Sequence, residues 1–265
     1  MTSLLKIPTQ RYLILQYLNR QIRQRYQGTA FGVFWSLLTP LIMLAVYTFV
    51  FGIVFKAHFG ISKNESPLDF GLALFCSLNL FNFCAEVIGR SPTLILQHSN
   101  LVKRVVFPLE ILPVVITFNA LFHCLVAFVP FLVGLAISRG AVPWSIAFLP
   151  LYLFPLALFS AGCALFLSAL GVFVRDMQNM IEPFIAILMF GSALFYPLAA
   201  VPEPFGRFVG LNPLAVLLDS ARKSIVFGIA PDLASLARIS LVAALVLVAG
   251  SYFFDKSKPA FADVM

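Results

Sequence analysis

Six apolar segments, each close to the length of a membrane-crossing helix, constrain this chain more than any other feature of its sequence. An α-helix rises about 1.5 Å per residue, so about 20 apolar residues are needed to cross the hydrocarbon core of a bilayer. Hydrophobic residues make up 61% of the chain and charged residues 11%, which disfavours a water-soluble enzyme. The sequence predicts an all-α integral membrane protein with six transmembrane helices. The predicted spans cover residues 33–55, 70–89, 111–138, 144–174, 183–198 and 236–254.

The basic residues predict how these spans are oriented. An even number of spans places both termini on the same side of the membrane. Most of the 18 Lys and Arg residues fall in segments that face the cytoplasm if both termini do. Cytoplasmic segments of membrane proteins carry an excess of Lys and Arg, and a basic cluster before the first span usually dominates the orientation. We therefore expect both termini to be cytoplasmic.

Three regions outside the spans carry recognisable patterns. Residues 1–31 contain apolar positions near the helical period opposite Arg, Gln and Asn, which predicts an N-terminal amphipathic helix at the inner membrane surface. The remaining residues, 32–265, form one predicted six-span domain. Within it, the cytoplasmic loop 90–110 contains SNLVKRVVFPLE, which predicts a short helix stopped by Pro108. The external region 199–235 is too apolar for a solvated loop, so short interfacial or re-entrant helices are expected there.

The sequence offers no catalytic constellation. It contains no phosphate-binding GxxxxGK[ST] loop, acid-rich pair, HExxH or GxSxG, so no catalytic residue is predicted. The spacing of the cysteines and of His58, His98 and His123 does not match that of metal ligands, so no metal site is predicted. Ion-coupled carriers place ionisable residues in mid-membrane. Glu86 lies near a span end and is interpreted as a helix-end pair with Arg90. Since Glu86 is not in mid-membrane, it does not indicate ion coupling. A partner subunit that supplies the energy is therefore favoured.

Five stretches of the sequence, taken in order, are similar to one family. They are RQRYQGTAFGVFWSLLTPLIMLAVYTFVFG, NLVKRVVFPLEILP, VRDMQN, FYPLAAVPEP and LNPLAVLLDSARKSIVFG, and the tail FADVM also suits it. The chain resembles the integral-membrane subunits of polysaccharide-exporting ABC transporters, the type 2 permease class, over essentially its whole length. The resemblance is strongest to O-antigen exporters, followed by teichoic-acid and capsule exporters. One departure is VFG near the end of the first span, where the family more often has a polar residue.

The resemblance implies a transport subunit rather than an enzyme. It implies a multi-pass protein of the bacterial cytoplasmic (inner) membrane, in which two copies of the chain form a pore. Two separate ABC ATPase subunits would bind ATP and Mg²⁺, so no cofactor is expected in this chain. The cargo would be a long glycan on a polyprenyl pyrophosphate. The expected partners are thus a second copy, the ATPase, the lipid-linked glycan and membrane lipid, and no nucleic acid.

Three sets of residues receive roles from this resemblance. Coupling to the ATPase is expected from Asn100, Leu101, Val102, Lys103, Arg104, Val105, Val106, Phe107 and Glu110. A cationic entrance for the lipid pyrophosphate is expected from Arg20, Arg23 and Arg25. An aromatic substrate path, on which pyranose C–H groups can slide, is expected from Trp35, Tyr47, Phe51, Phe190, Phe195 and Tyr196. Each set also has a simpler interpretation: an ordinary loop, inside-positive anchoring, and lipid-facing packing, respectively.

Other classes of protein stay open at this point. An ABC permease for drug or lipid export shares the fold, although such chains often carry a larger external domain or a fused ATPase. A membrane-embedded prenyl or glycosyl transferase requires an acidic magnesium-binding cluster, which the sequence lacks. A channel or ion-coupled carrier requires polar residues lining the centre of the membrane, and these are scarce.

Overall fold

Helices and short connections make up the part of the chain that the computed structural model describes, which is residues 10–27, 34–61, 65–104, 107–203 and 205–264. No strand occurs among these residues, as the sequence predicts. The long helices are α2 (Trp35–Tyr47, continued by a π-helical stretch, Thr48–Val54), α3 (Pro67–Arg90), α6 (Ile111–Arg139), α7 (Leu149–Phe173, preceded by a 3-10 turn, Trp144–Phe148) and α11 (Leu233–Ser257). The shorter ones are α1 (Arg11–Tyr26), α4 (Leu94–Gln97), α5 (Ser99–Arg104), α8 (Met177–Phe190), α9 (Phe205–Leu211), α10 (Pro213–Phe227) and α12 (Phe261–Val264).

Five of the predicted spans correspond to helices long and apolar enough to cross a membrane. Their bounds lie within a few residues of the prediction. The helix predicted from the N-terminal amphipathic pattern is α1, the one predicted in the loop 90–110 is α5, and the external region 199–235 contains α9 and α10. Local hydropathy and periodicity were sufficient for these elements because each is a property of a continuous stretch of sequence.

The fifth predicted span, residues 183–198, is wrong at both ends. The helix in this region, α8, begins at Met177 and ends at Phe190. Its 14 residues are about 21 Å long, less than the hydrocarbon core of about 30 Å. The chain leaves the helix at Gly191, and Ala193 adopts a φ of 51°, a left-handed conformation that a helix cannot contain. The apolar run continues through this turn, so hydropathy does not reveal the break.

Helix α3 lies at the centre of the packed helices and is the most buried of the five long ones. It packs against α6, α7 and α10, while α7 and α11 form a close pair. Gly162 permits that approach, because a Cβ atom at this position would lie 2.6 Å from the backbone N of Leu247. Membrane helices often approach each other closely at small residues. In lipid, dispersion contacts between the packed helices take the place of the hydrophobic effect as the force that holds them together.

Helices α2 and α8 lie at the edge of the protomer. Among the described residues, one residue of each helix is buried: Leu44 on α2 and Ile181 on α8. Most exposed positions of α2, and the exposed positions of α8 from Pro183 onwards, are apolar. Such faces are stable only against lipid or another apolar protein surface.

Candidate functional site

A polar cleft runs between α1, α2, α3 and α6. It consists of two adjoining cavities, one of about 740 Å³ and one of about 340 Å³, which share Arg25, Asn82 and Glu86. The larger cavity is also lined by Gln21, Gln24, Arg90 and Asn119. The smaller is also lined by Trp35, Ser36, Thr39, Pro40, Asn79, Phe83, Ala120, His123, Cys124 and Ala127.

The polar residues of the cleft follow the helical period. On α3, the side chains of Asn79, Asn82, Glu86 and Arg90 are spaced three or four residues apart, so they share one face. Asn119 and a histidine four residues later share a face of α6 in the same way. Sequence analysis considered charged residues near span centres and therefore missed this stripe. The spacing of polar residues within two apolar spans is the signal that could have found it.

An ion-pair triad lies at one end of the cleft. Nη1 of Arg25 donates to Oε1 of Glu86 at 2.7 Å, and Nη1 of Arg90 lies 3.4 Å from the same oxygen. The predicted pair between Glu86 and Arg90 is therefore confirmed. The contact with Arg25 was not predicted, and it ties α1 to α3 across 61 positions of sequence.

Two amide side chains show how the cleft is built. Nδ2 of Asn79 donates to the backbone oxygen of Cys124 at 3.0 Å and joins α3 to α6. Asn119 is 1% exposed, and its Oδ1 has no hydrogen-bond partner among the described residues. A buried acceptor without a donor costs about 1–3 kcal/mol. The cleft therefore favours a molecule that donates a hydrogen bond to Asn119.

The three arginines assigned to the pyrophosphate entrance lie in different surroundings. Arg25 lines both cavities of the cleft. Arg20 and Arg23 are exposed on α1 and are not among the described side chains that line the cleft. Of the three arginines, Arg25 therefore lies in the cleft, where Arg90 is the second cation, and the cationic entrance stays a prediction.

The residues assigned to the aromatic path separate into three places. The ring of Phe51 lies 5.8 Å from that of Phe195, which lies 5.9 Å from that of Phe190. Tyr196 donates its hydroxyl to the backbone oxygen of Phe190 at 2.6 Å, whereas Tyr47 is partly buried against the core. We call Phe51, Phe190, Phe195 and Tyr196 the aromatic cluster. The remaining residue of the set, Trp35, lines the polar cleft instead.

The residues assigned to ATPase coupling also divide. Asn100 is exposed, while Leu101 and Val102 pack partly against the core. The ring of Phe107 lies 5.4 Å from that of Tyr17 on α1. Val105 and Val106 lie outside the described residues, as do the side chains of Lys103 and Arg104.

The side chain of Glu110, the last residue of that set, contacts the C-terminal segment of the same chain. It is 4% exposed, and its Oε2 accepts a hydrogen bond from Nζ of Lys258 at 2.7 Å. In this conformation the carboxylate holds the C-terminal segment rather than presenting itself to a partner. The coupling role expected of Glu110 and of the other residues in this set stays a prediction.

A fully buried arginine lies in the region predicted as an external gate. Arg222 on α10 donates to Oδ1 of Asp219 at 2.6 Å and to the backbone oxygen of Leu194 at 3.2 Å. Its guanidinium carbon also lies 3.9 Å from the centre of the Phe59 ring. Arg222 thus joins α10 to the turn after α8.

The four cysteines lie in apolar surroundings inside the helices. Cys76, Cys84 and Cys124 are buried and Cys163 is partly buried, each as a free thiol. Among the residues that the structure describes, no group of three or more His, Cys, Asp or Glu side chains is arranged to hold a metal ion. The chemistry available in the cleft is therefore hydrogen bonding and charge.

Comparison with known proteins gives a consistent set of matches. A family model described as ABC-2 type transporter matches residues 12–226. An O-antigen export system permease protein RfbA from Myxococcus xanthus is 23% identical over 256 residues, 96% of this chain and 95% of the relative. A protein of the same name from Klebsiella pneumoniae is 22% identical over 258 residues, again 96% and 95%. The polysialic acid transport protein KpsM of Escherichia coli is 24% identical over 236 residues, 87% of this chain and 88% of the relative.

Proposed function

We propose that this chain, which belongs to the ABC-2 type transporter family, is the membrane-spanning permease subunit of an ABC transporter that exports a lipid-linked polysaccharide across the bacterial inner membrane. One observation carries the proposal: the similarity to O-antigen export permeases extends over 96% of this chain and 95% of theirs. A shared domain alone would leave the cargo open. End-to-end similarity, with a second relative named for polysialic acid transport, favours a polysaccharide.

In this proposal the chain crosses the membrane six times, with both termini in the cytoplasm. Helix α8 and the segment that follows it form the fifth of these crossings, since the turn at 191–200 extends the apolar path beyond the short helix. Helix α1 lies along the inner surface. Its Ile14 packs against Ile111 and Val115 at the start of α6, while Arg20 and Arg23 are exposed to headgroups.

Two copies of the chain form the pore. Helices α2 and α8 have the apolar, sparsely buried faces that a second copy would cover. The aromatic cluster joins the π-helical continuation of α2 to the end of α8 and the turn after it, and would line the path between the copies. Aromatic faces suit a polymer that must slide, because they pack on sugar rings without requiring one pattern of hydroxyl groups.

Energy comes from a separate ABC ATPase. Helix α5 follows α3 closely in the chain and carries Lys103 and Arg104 in a loop predicted to face the cytoplasm. Short helices that join basic and apolar residues are suited to a groove on a partner. ATP and Mg²⁺ bind to that partner, and this chain transmits the motion.

The test is a deletion of this gene in its own bacterium, complemented by the wild-type chain. We expect the deletion to abolish the surface polysaccharide and to raise the intracellular pool of lipid-linked polymer, because synthesis continues while export stops. Strains with an inactivated ATPase partner should show the same two changes. Normal surface polysaccharide in the deletion strain, together with increased sensitivity to drugs, would favour a drug permease instead.

A further inference from the structure

The broken end of α8 has backbone carbonyl groups that need hydrogen-bond donors. The last four carbonyl groups of an α-helix have no partner within the helix, and inside a bilayer water cannot supply one. Here the carbonyl oxygens of residues 187–191 all accept hydrogen bonds. Those of residues 187 and 189 accept from the backbone N–H groups of Gly191 and Ser192 at 2.9 and 3.3 Å. The oxygen of residue 188 accepts from the hydroxyl group of Ser192, and that of Phe190 from the hydroxyl group of Tyr196, both at 2.6 Å.

Helix α10 supplies the remaining donors. Nδ2 of Asn212 donates to the backbone oxygen of Gly191 at 3.0 Å and lies 3.2 Å from Oγ of Ser192. Nη1 of Arg222 donates to the backbone oxygen of Leu194 at 3.2 Å. Asn212 and Arg222 are ten positions apart, which is about 15 Å along a helix axis. Because α10 holds the turn after α8 at two separated points, it fixes the orientation of that turn as well as its position.

The two donor side chains on α10 are themselves held in place. Oδ1 of Asn212 accepts from the backbone N–H of Leu214 at 3.0 Å and caps the start of α10. Nη2 of the fully buried Arg222 donates to Oδ1 of Asp219 at 2.6 Å, and Oδ2 of Asp219 pairs with Nζ of Lys223 at 2.6 Å. Apolar side chains would fill a buried position without the desolvation penalty of these charges. The contact with the turn therefore has a use beyond packing.

The turn held by α10 carries part of the aromatic cluster. The side chain of Leu194 is fully buried in the core, and Phe195 follows it directly. The backbone that Arg222 holds therefore sets the direction in which the Phe195 ring points. That ring lies 5.9 Å from the ring of Phe190 and 5.8 Å from the ring of Phe51. A shift of the turn would separate these rings.

We propose that Asn212 and Arg222 are positioning residues for the polysaccharide path. From α10 they hold the broken end of α8, and this places the rings of Phe190 and Phe195 beside Phe51 on the continuation of α2. The inference rests on the proposed function, in which the aromatic cluster lines the path between the two copies. It adds that the end of α8 and α10 act as one body. The shape of the path is then set by a helix outside the aromatic cluster.

Variants of Asn212 can remove the contact with the turn and keep the helix cap. Asn212→Asp and Asn212→Ser both retain an oxygen acceptor for the N–H of Leu214, and Asp and Ser are good N-cap residues. Neither variant retains the amide donor for Gly191. In the deletion strain, we expect each variant to lower the ratio of surface polysaccharide to the intracellular lipid-linked pool by about fivefold or more, because a buried carbonyl group loses its donor. Membrane insertion should be unchanged.

Asp232→Ala is the matched control for helix stability. Oδ1 of Asp232 caps α11 by accepting from the backbone N–H of Ala234 at 3.1 Å. The other carboxylate oxygen accepts from the hydroxyl group of Ser235 on the same helix. We expect Asp232→Ala to lower the midpoint of thermal unfolding, because a helix loses its cap, and to leave export normal.

Arg222→Lys tests the second contact with the turn. The two contacts of Arg222 use different nitrogen atoms, Nη2 for Asp219 and Nη1 for Leu194. Lysine keeps a positive charge for Asp219, but its single ammonium group lacks the fork that spans both acceptors. We expect the chain to insert normally and to show the same fall in the export ratio as the Asn212 variants.

A double variant separates positioning from a general structural role. Phe195→Leu removes a ring of the aromatic cluster and keeps an apolar side chain, so export should be reduced but still measurable. If Asn212 acts through the ring of Phe195, Asn212→Asp should lower export little further in the Phe195→Leu chain, because the ring that it positions is already absent. A general structural role predicts instead that the two losses multiply.

Four results would overturn the inference. They are normal export by the Asn212 variants or by Arg222→Lys, export by Asp232→Ala as low as that by Asn212→Asp, losses that multiply in the double variant, and normal export by Phe195→Leu. If any of these occurs while the deletion strain still lacks surface polysaccharide, the proposed function stands and only the positioning role falls. If the deletion strain exports normally, the proposed function itself falls.

Discussion

Nζ of Lys258 lies 2.7 Å from Oε2 of Glu110, and this contact joins residues 148 positions apart. It fixes the C-terminal segment to the start of α6. Phe261 follows Lys258 closely, is fully buried, and packs its ring against those of Phe254 and Phe173. Helix α12, which Phe261 begins, also contacts α5. The end of the chain therefore supports the helix proposed to receive the ATPase.

Removal of Lys258 should destabilise the chain. Lys258→Met leaves the carboxylate of Glu110 buried without its partner, at a cost of about 1–3 kcal/mol. We expect a lower midpoint of thermal unfolding in detergent and weaker co-purification of the ATPase. The double variant Glu110→Gln with Lys258→Met should recover part of the unfolding midpoint, because no buried charge remains. If the double variant is less stable than Lys258→Met, the ion pair is not the cause.

The basic residues of α5 should be required for coupling. Lys103→Glu with Arg104→Glu reverses two charges in the loop proposed to meet the ATPase. We expect loss of ATPase co-purification or of ATP-driven export, with normal membrane insertion. Arg11→Glu reverses an exposed charge on α1 and should have little effect on co-purification. Intact assembly and export in the double variant would refute the role of α5.

The aromatic residues proposed to line the path should affect export but not synthesis. We expect Phe51→Ala, Phe195→Ala and Tyr196→Ala to lower the ratio of surface polysaccharide to the intracellular lipid-linked pool. The control is Ile137→Ala on α6, a residue that is 73% exposed and outside the proposed path. Normal export by all three variants at normal expression would place the path elsewhere.

The close approach of α7 and α11 should depend on Gly162. In Gly162→Ala the new Cβ would lie 2.6 Å from backbone atoms of Leu247 and Val246, so the helices must separate, at a cost of about 1–3 kcal/mol. The unfolding midpoint should fall by several degrees. Gly210→Ala is the matched control, because no atom lies within 4 Å of a Cβ at that position. Equal midpoints for the two variants would contradict the tight helix pair.

The purified chain alone should hydrolyse no ATP, since its sequence contains no GxxxxGK[ST] phosphate-binding loop. Vanadate-sensitive hydrolysis should begin when the co-expressed ATPase partner is added, and this can be followed by phosphate release. Turnover by the chain alone, in a preparation shown to be free of other ATPases, would contradict the assignment as a transport subunit.

The sequence by itself determined the class of protein and most of the helices. Runs of apolar residues identified five long helices, helical periodicity identified α1, and the segment before Pro108 identified α5, because these signals are carried by neighbouring residues. The pair between Glu86 and Arg90 was predictable for the same reason: the two residues are one helical turn apart.

What only the tertiary structure decided depends on residues distant in sequence. Arg25 reaches Glu86 across 61 positions, and the polar cleft exists because α1, α2, α3 and α6 converge around that pair. Arg222 is buried because the turn after α8 and Phe59 close over it, and Glu110 is buried against Lys258. Hydropathy averages over a window of sequence and contains no information on which windows meet. Packing therefore decides which residues surround a polar side chain in a membrane helix, and these neighbours determine its role.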